Sequence, residues 1–229
     1  MKKMILALAL LTFAIGMSPS ATRADHPGAD LDEVMQQKEK YFQPVDAPSP
    51  NFELVDADGN PVNLSDFAEN IVVLNFIFAS CLSDCPLHSE KIAQVQQLIN
   101  ASPMKEIVRF VSITTDPQND VPDVLDNYGE LHGLDSTNWI FLTTRNSQSE
   151  DHTRQLAGEY GLDFARTDNG QQMHGVVTHV IDRSGRLAAR FHGLRFEPLN
   201  MVLYINGLTN RHSKHSQKTG IWARIKDWF

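Results

Sequence analysis

The two cysteines of the chain, Cys81 and Cys85, are the residues best suited to chemistry, and Pro86 directly follows the second one. Their Cys-x-x-x-Cys spacing differs from the Cys-x-x-Cys of common redox motifs. If both cysteines were helical, their Cβ atoms would be roughly 5–6 Å apart, which is too far for a disulfide. A shared metal ion needs only two sulfurs about 4 Å apart. The pair therefore suits a soft metal ion or, if the loop holds Cys81 away from the helix, reversible redox chemistry.

The cysteines follow an unbroken apolar run, Ile71–Phe78, which is rich in β-branched and aromatic residues. Such a run predicts a strand that is buried on both faces of a sheet. Residues 79–84 are predicted to form a loop, and Pro86 fits the first position of a helix that ends near Asn100. Both thiols thus lie between a strand and a helix, where unpaired N–H groups and the helix dipole are expected to favour thiolate over thiol.

The rest of the chain supplies the elements that must position this pair. A turn at residues 58–60 between two alternating segments predicts a β-hairpin before the apolar strand. Further predicted strands cover residues 107–113, 139–142, 176–181 and 187–191, and further predicted helices cover 121–131, 148–160 and 198–208. This order predicts an α/β domain over residues 51–208, with an N-terminal β-hairpin and a central mixed sheet flanked by helices.

The two ends of the chain differ from this domain. Residues 1–24 have the pattern of a secretory signal, because two lysines precede an apolar run that is shorter than the roughly 20 residues of a membrane span. We therefore expect a periplasmic protein, anchored only if this segment is not cleaved. Residues 25–50 are interpreted as an N-terminal extension with a short predicted helix over residues 30–41 and a proline-rich linker over residues 43–50. Residues 209–229 are interpreted as a basic C-terminal tail. Membrane contact is expected at most through the uncleaved N-terminus or this tail.

The charge of the chain argues against one class of partner. The formal net charge is −8 at pH 7, and residues 1–24 carry three basic side chains and no acidic one. The exported chain would therefore be still more acidic. Because affinity for nucleic acid comes largely from lysine and arginine on phosphates, no nucleic-acid partner is expected.

The order of elements resembles the thioredoxin-like superfamily, and within it the chain resembles the Sco (SenC-type) copper-chaperone family. The matching segments are Phe76-Ile-Phe, Cys81-Leu-Ser-Asp-Cys85-Pro86, Thr115–Pro122, Trp139–Thr143, and His174 eleven residues before Gly185. They extend over about residues 51–208. A cysteine pair with a histidine at this distance is more specific than either motif alone.

The resemblance implies that Cys81, Cys85 and His174 bind one copper ion. It also implies a metallochaperone of the cell envelope that helps to assemble the binuclear copper site of cytochrome c oxidase, with subunit II as the candidate acceptor and thiol–disulfide exchange as a further activity. Two positions depart from the family pattern, since Leu82 stands where proline is frequent and Met173 where aspartate is frequent. A thioether beside the histidine could add a soft contact to cuprous copper.

Other functions of the same cysteines remain open. The chain could be a periplasmic thiol–disulfide oxidoreductase, a redox sensor, or a protein whose cysteines only pack. Thioredoxin-like reductases usually have a proline just before the strand that faces their cysteines. No proline occurs between Arg166 and Glu197, which counts against broad reductase activity.

The chain has nine histidines, so the third ligand needs separate weighing. His88 lies one helical turn past Cys85 and is the best substitute ligand. His179 falls within a predicted strand and is expected to pack there, and two histidines in the tail form a weaker candidate site. Because glycines flank His174 at positions 170 and 175, we expect this residue on a loop that closes over the metal.

Overall fold

A six-stranded mixed sheet forms the centre of the structure, a computed structural model that describes residues 29–81, 84–166 and 172–210. The strands are β1 (Phe42–Pro48), β2 (Glu53–Val55), β3 (Pro61–Asn63), β4 (Ile71–Ile77), β5 (Val108–Thr114), β6 (Trp139–Leu142), β7 (Phe164–Arg166), β8 (Gln172–His174), β9 (Val177–Ile181) and β10 (Arg186–His192). The helices are α1 (Ala29–Lys38), α2 (Asp84–Asn100), α3 (Pro122–Leu131), α4 (His152–Glu159) and α5 (198–210).

The strand order in this sheet is β1-β10-β9-β4-β5-β6. Strands β4, β5 and β6 are parallel, whereas β9, β10 and β1 extend the sheet in antiparallel pairs. Strands β2 and β3 form a separate antiparallel hairpin just before β4. These features confirm the predicted α/β fold, with its N-terminal hairpin and central mixed sheet flanked by helices.

Strand β4 is buried along its whole length, as its apolar run predicts. Side chains on one face, such as Val73, share a core cluster with Ile92 of α2 and with residues of α1 and α5. Side chains on the other face, such as Leu74, pack with Leu156 of α4 and with the β2 strand of the hairpin. Because β4 has strands on both edges and helices on both faces, its end is fixed in space.

Residues 42–48 form strand β1, which differs from the linker predicted for this stretch. Strand β1 pairs antiparallel with β10, and Phe42 lies opposite Phe191 with their ring centroids 5.3 Å apart. Prolines fit an edge strand because only one side of it takes part in the hydrogen-bond ladder. The three prolines of residues 43–50 suggested a linker, but they occupy and follow an edge strand of the main sheet.

Two predicted helices are shorter than expected. Helix α1 ends at Lys38, and α4 begins only at His152, four residues after the predicted start at residue 148. The described residues include no helix that is long and apolar enough to cross a membrane. The predicted signal at residues 1–24 lies outside the described residues, as does nearly all of the predicted tail.

Glu39 connects the N-terminal helix to the last helix. Its carboxylate accepts hydrogen bonds from the backbone N–H of Tyr41 at 3.1 Å, the backbone N–H of Glu197 at 2.9 Å and the side-chain amide of Asn200 at 3.0 Å. The side chain is only 4% exposed. Removing a buried acceptor leaves such donors without a partner.

Glu39→Ala is therefore expected to lower the free energy of unfolding by about 1–3 kcal/mol. Urea unfolding followed by circular dichroism measures this change. Glu33→Ala is the matched control, because Glu33 lies on the exposed side of α1. Equal unfolding midpoints for the two variants would contradict the structural role of Glu39.

Candidate metal centre

The two thiols meet at the end of β4, where the chain enters α2. Cys81 is half-buried in the connecting loop, and its backbone N–H donates to the carbonyl of Phe78 at 3.1 Å. Cys85 is the second residue of α2 and is 5% exposed. Its backbone N–H donates to the Cys81 sulfur at 3.4 Å. The predicted places of both cysteines are therefore confirmed, and the two sulfurs are not joined in a disulfide.

Helix α2 begins at Asp84, two residues earlier than predicted, so Pro86 is its third residue rather than its first. A proline is tolerated there because the first four N–H groups of a helix have no partner within the helix. The earlier start places Cys85 inside the first turn. Cys81 precedes the helix, which leaves its side chain free to approach Cys85 from the loop.

Burial raises the pKa of the Cys85 thiol well above its ordinary value. Its hydrogen bond with Cys81 and the negative charges of Cys81 and Asp84 raise this pKa further, although a hydrogen bond with the Phe78 backbone lowers it. The expectation that the helix N-terminus favours a Cys85 thiolate is therefore wrong. The loss of water around a buried sulfur outweighs the helix dipole in the protein without metal.

Asp120 fixes the loop that carries Cys81. Its buried carboxylate accepts the backbone N–H of Ala79 at 3.0 and 3.2 Å and also accepts the hydroxyl of Thr114 at the end of β5. Burial raises the pKa of this carboxyl, while the two hydrogen bonds lower it. The carboxylate thus ties the chain leaving β4 to the neighbouring strand. Asp120 lies in the matching segment Thr115–Pro122, but its contact with the Cys81 loop could be seen only in the folded structure.

A buried pair of hydroxyls lies beside the thiols. The side-chain oxygens of Ser89 and Tyr128 are 2.8 Å apart, and both residues are buried. Burial raises the pKa of Tyr128, and the negative charges of Cys85 and Cys81 raise it further. Tyr128 is thus close enough to sense charge on both sulfurs. Ser89 follows Cys85 by one helical turn, which was the only sign of this contact in the sequence.

His174 is the last residue of β8, and its backbone lies opposite Phe164 in the β7–β8 hairpin. The loop expected at this position is therefore wrong, and the side chain of His174 lies outside what the structure describes. Strand β9 begins three residues later and runs antiparallel to β4, with His179 opposite Leu74. The chain therefore enters β9 at the same end of the sheet at which the Cys81 loop leaves β4.

The other two candidate histidines have different surroundings. His88 is buried, and its Nε2 lies 2.7 Å from the hydroxyl of Thr178 in β9. His179 is fully buried between the rings of Phe76 and Tyr160, as predicted, and burial lowers its pKa to about 3. Both imidazoles are directed into the protein. The two histidines of the tail lie outside the described residues.

Two sulfurs and an imidazole form a soft donor set that suits cuprous copper. The structure brings Cys81 and Cys85 into hydrogen-bond contact, and Cys81 remains partly open to solvent. Among the side chains that the structure describes, no three His, Cys, Asp or Glu residues cluster as a metal site. The side chain of His174 lies outside the described part, so its role as a third ligand stays a prediction.

A dithiol at the junction of a central strand and a helix, within this mixed sheet, defines a thioredoxin-like protein. A family model described as SCO1/SenC matches residues 42–208. The chain therefore belongs to the SCO1/SenC family.

Relatives with known names agree with this assignment. The chain is 29% identical over 144 residues to the SCO2-like protein RP587 of Rickettsia prowazekii, covering 62% of this chain and 67% of that protein. It is 25% identical over 152 residues to the SCO1 protein homolog of Bacillus subtilis, covering 66% of this chain and 77% of that protein.

Solved structures share the fold. The SCO1/SenC family lipoprotein of Bacillus anthracis superposes with a TM-score of 0.65 at 23% identity, over 72% of this chain and 97% of that one. BsSco is described with a disulfide switch and as a member of the Sco family of cytochrome c oxidase assembly proteins. It superposes with a TM-score of 0.64 at 20% identity, over 73% of this chain and 96% of that one. Copper-bound ScoI of Bradyrhizobium japonicum superposes with a TM-score of 0.57 at 19% identity, over 71% of this chain and 99% of that one.

The two thiols are expected to differ in reactivity towards iodoacetamide in the reduced protein. Cys81 should react first at neutral pH, because Cys85 is buried and its raised pKa keeps it protonated, whereas only thiolate alkylates rapidly. The rate at Cys85 should keep rising with pH beyond the ordinary thiol range near about 8.5. Mass spectrometry of each cysteine peptide measures both rates.

Unfolded protein is the control, since both cysteines should then react alike. Cys81→Ser should leave the remaining thiol slow, because burial is the main cause of its raised pKa. Equal rates at the two cysteines in the folded protein would show that the asymmetry is wrong.

Asp120→Asn is expected to lower the free energy of unfolding by about 1–3 kcal/mol, since an amide nitrogen cannot accept the hydrogen bonds that one carboxylate oxygen accepts. It should also speed the alkylation of Cys81, because the loop loses its anchor at Ala79. Asp123→Asn, on the exposed side of α3, is the control. An unchanged Cys81 rate in Asp120→Asn would contradict the anchoring role.

Proposed function

We propose that this protein is a copper metallochaperone of the cell envelope. Cys81, Cys85 and His174 hold one copper ion as cargo and release it to an envelope protein that accepts copper. The acceptor we propose is subunit II of cytochrome c oxidase. The single observation that supports this best is the contact of two reduced thiols just beyond the end of β4 in a chain of the SCO1/SenC family.

The asymmetry of the thiols suits a cargo site. Cys85 is buried and held within α2, so it can retain the ion, whereas Cys81 is half-buried in a loop and can be exchanged for an acceptor ligand. Copper binding must displace the proton that burial keeps on Cys85, because metal ligands are deprotonated. Uptake should therefore release protons and weaken as the pH falls.

The protein frame supports this exchange. Asp120 holds the start of the Cys81 loop, while the hydrogen bond between His88 and Thr178 holds α2 against β9. His88 is therefore proposed to position the helix rather than to bind copper. Strand β9 follows His174 by three residues, so the same frame supports the proposed third ligand.

Thiol–disulfide exchange is the second candidate function, and the hydrogen bond between the two thiols favours it. The Cys81 thiolate would attack a partner disulfide and form a mixed disulfide, releasing one partner thiolate. Cys85, after losing its proton, would then attack Cys81 and release the second partner thiolate. The partner would be reduced to a dithiol, and this protein would be oxidised to the Cys81–Cys85 disulfide.

An envelope location is part of this proposal. A related structure is that of a lipoprotein, and residues 1–24 have the pattern of an export signal. Fractionation of cells expressing the full chain, with N-terminal sequencing of the mature protein, tests both export and cleavage. Recovery of the intact chain from the cytosol would contradict it.

Anaerobic copper titration of the reduced protein tests the ligand set. Cys81→Ser and Cys85→Ser are both expected to lose tight binding of cuprous ion. Cys81→Ser should melt near the wild-type temperature, because Cys81 is half-buried in a loop, whereas Cys85→Ser places a hydroxyl at a buried position and should melt lower. His174→Ala should still bind cuprous ion through two thiolates but bind cupric ion poorly, because cupric copper favours nitrogen donors.

His88→Gln is the matched control, because it can keep a hydrogen bond to Thr178 and should bind both copper states like wild type. Wild-type binding by His174→Ala, with weakened binding by His88→Gln, would reassign the third ligand. Reduction of insulin disulfides by the reduced protein separates the two functions. Rapid turnover without copper binding would favour the oxidoreductase.

A further inference from the structure

The outer edge of the main sheet carries a cleft that the thiol site does not use. It has a volume of about 710 Å³ and lies along β6, two strands away from β4. Aromatic side chains of Phe67, Trp139 and Phe141 line it. The hairpin turn and the C-terminal half of α3 form its walls.

The backbone of β6 is unpaired along this cleft. The carbonyl of Asn138 accepts a hydrogen bond from the N–H of Phe110 in β5. Because the backbone groups of alternate residues point to the same neighbouring strand, those of residues 138, 140 and 142 bond to β5. The backbone groups of residues 139 and 141 point away from β5. The carbonyl of Thr143 accepts a hydrogen bond from the N–H of Val55 at 3.0 Å, and the N–H of Thr143 donates to the carbonyl of Val55 at 2.9 Å. After Val55 the hairpin turns away from β6 at residues 56–60. The outward N–H and C=O groups of residues 139 and 141 therefore have no strand partner among the described residues.

The walls of the cleft are strongly acidic. Asp58, Asp126 and Glu130 are exposed and Asp56 is half-buried. Among the described residues that line the cleft, Arg109 is the only basic one. In the described part of the chain, none of the four acids forms an ion pair. An exposed strand edge can form hydrogen bonds with an added strand, and the acidic side chains around this edge favour a strand that carries basic residues.

The chain itself contains a segment with the opposite charge. Residues 211–229 hold five lysine or arginine residues and one acidic residue, in a protein whose net charge is −8. Ile221, Ala223 and Ile225 are apolar and would share one face of an extended chain, which suits the aromatic side chains of the cleft. The segment follows residue 210, which is the last residue of α5 that the structure describes.

Its length is sufficient to reach the cleft. The sheet from β1 to β6 is about 24 Å wide at roughly 4.8 Å per strand, and nineteen extended residues span up to about 60 Å. Helix α5 also packs in the core cluster that includes Trp139, on the same side of the sheet. The segment therefore starts on the face from which the cleft is reached.

We propose that residues 211–229 dock in this cleft of the same molecule as an extended strand along β6. Their backbone pairs with the free groups at Trp139 and Phe141. Their basic side chains lie against Asp126 and Glu130, and the apolar side chains at 221, 223 and 225 contact the aromatic side chains that line the cleft. The sheet thereby gains a seventh strand and loses its open edge.

Two measurements on the full chain test this docking. Zero-length carbodiimide coupling should join lysines of residues 211–229 to Asp126 or Glu130 within monomers. The amides of Trp139 and Phe141 should be protected from hydrogen exchange. In Asp126→Asn/Glu130→Gln these amides should exchange about tenfold faster, because the ion pairs that hold the segment are gone.

The matched control is Glu33→Gln/Asp123→Asn, which makes the same change in charge at exposed sites outside the cleft and should leave exchange unchanged. Absence of cross-links together with unprotected edge amides in wild type would overturn the proposal. Cross-links found only in dimers would assign the segment to a second copy and would overturn it too. Binding of the segment to vesicles containing anionic lipid, with the edge amides unprotected, would overturn it in favour of a membrane.

Discussion

The complete burial of β4 is the constraint on which the rest of the structure depends. This strand has no exposed residue, so it must have a neighbour on each edge and packed helices on each face. Its last residues then emerge at one fixed point, and Cys81 follows four residues after the strand ends. The entry of β9, the start of α2 and the loop held by Asp120 all lie around that point. The chemistry of the site is therefore located by packing.

The electrostatics of the site follow from the same burial. A thiol at a helix N-terminus gains from the dipole, but Cys85 also loses its contact with water, and the second effect is larger. A metal ion reverses this balance, because it compensates the charge that burial opposes. A buried thiol such as Cys85 stays protonated on its own, and it is suited to lose its proton only when a soft cation binds to the sulfur.

Much of the fold could be predicted because it depends on local pattern. The apolar run of β4, the Gly59 turn of the hairpin and the alternation of later strands and helices each have a period that the sequence displays. Strand β1 could not be predicted in this way, because its prolines indicate a linker and only pairing with β10 makes it a strand. The cysteine pair was visible from spacing alone. Asp120 was not, since its role depends on contact with Ala79, 41 residues away.

The bond between His88 and Thr178 has a consequence for how the site is assembled. It joins the helix that carries Cys85 to the strand that follows His174, across 90 residues of sequence. Two distant parts of the chain are thereby held as one rigid frame before any ligand is present. The conformational entropy of bringing them together is lost during folding, so a ligand that arrives later does not have to supply it. Binding of copper as proposed would then require only local changes rather than reorganisation of the whole domain.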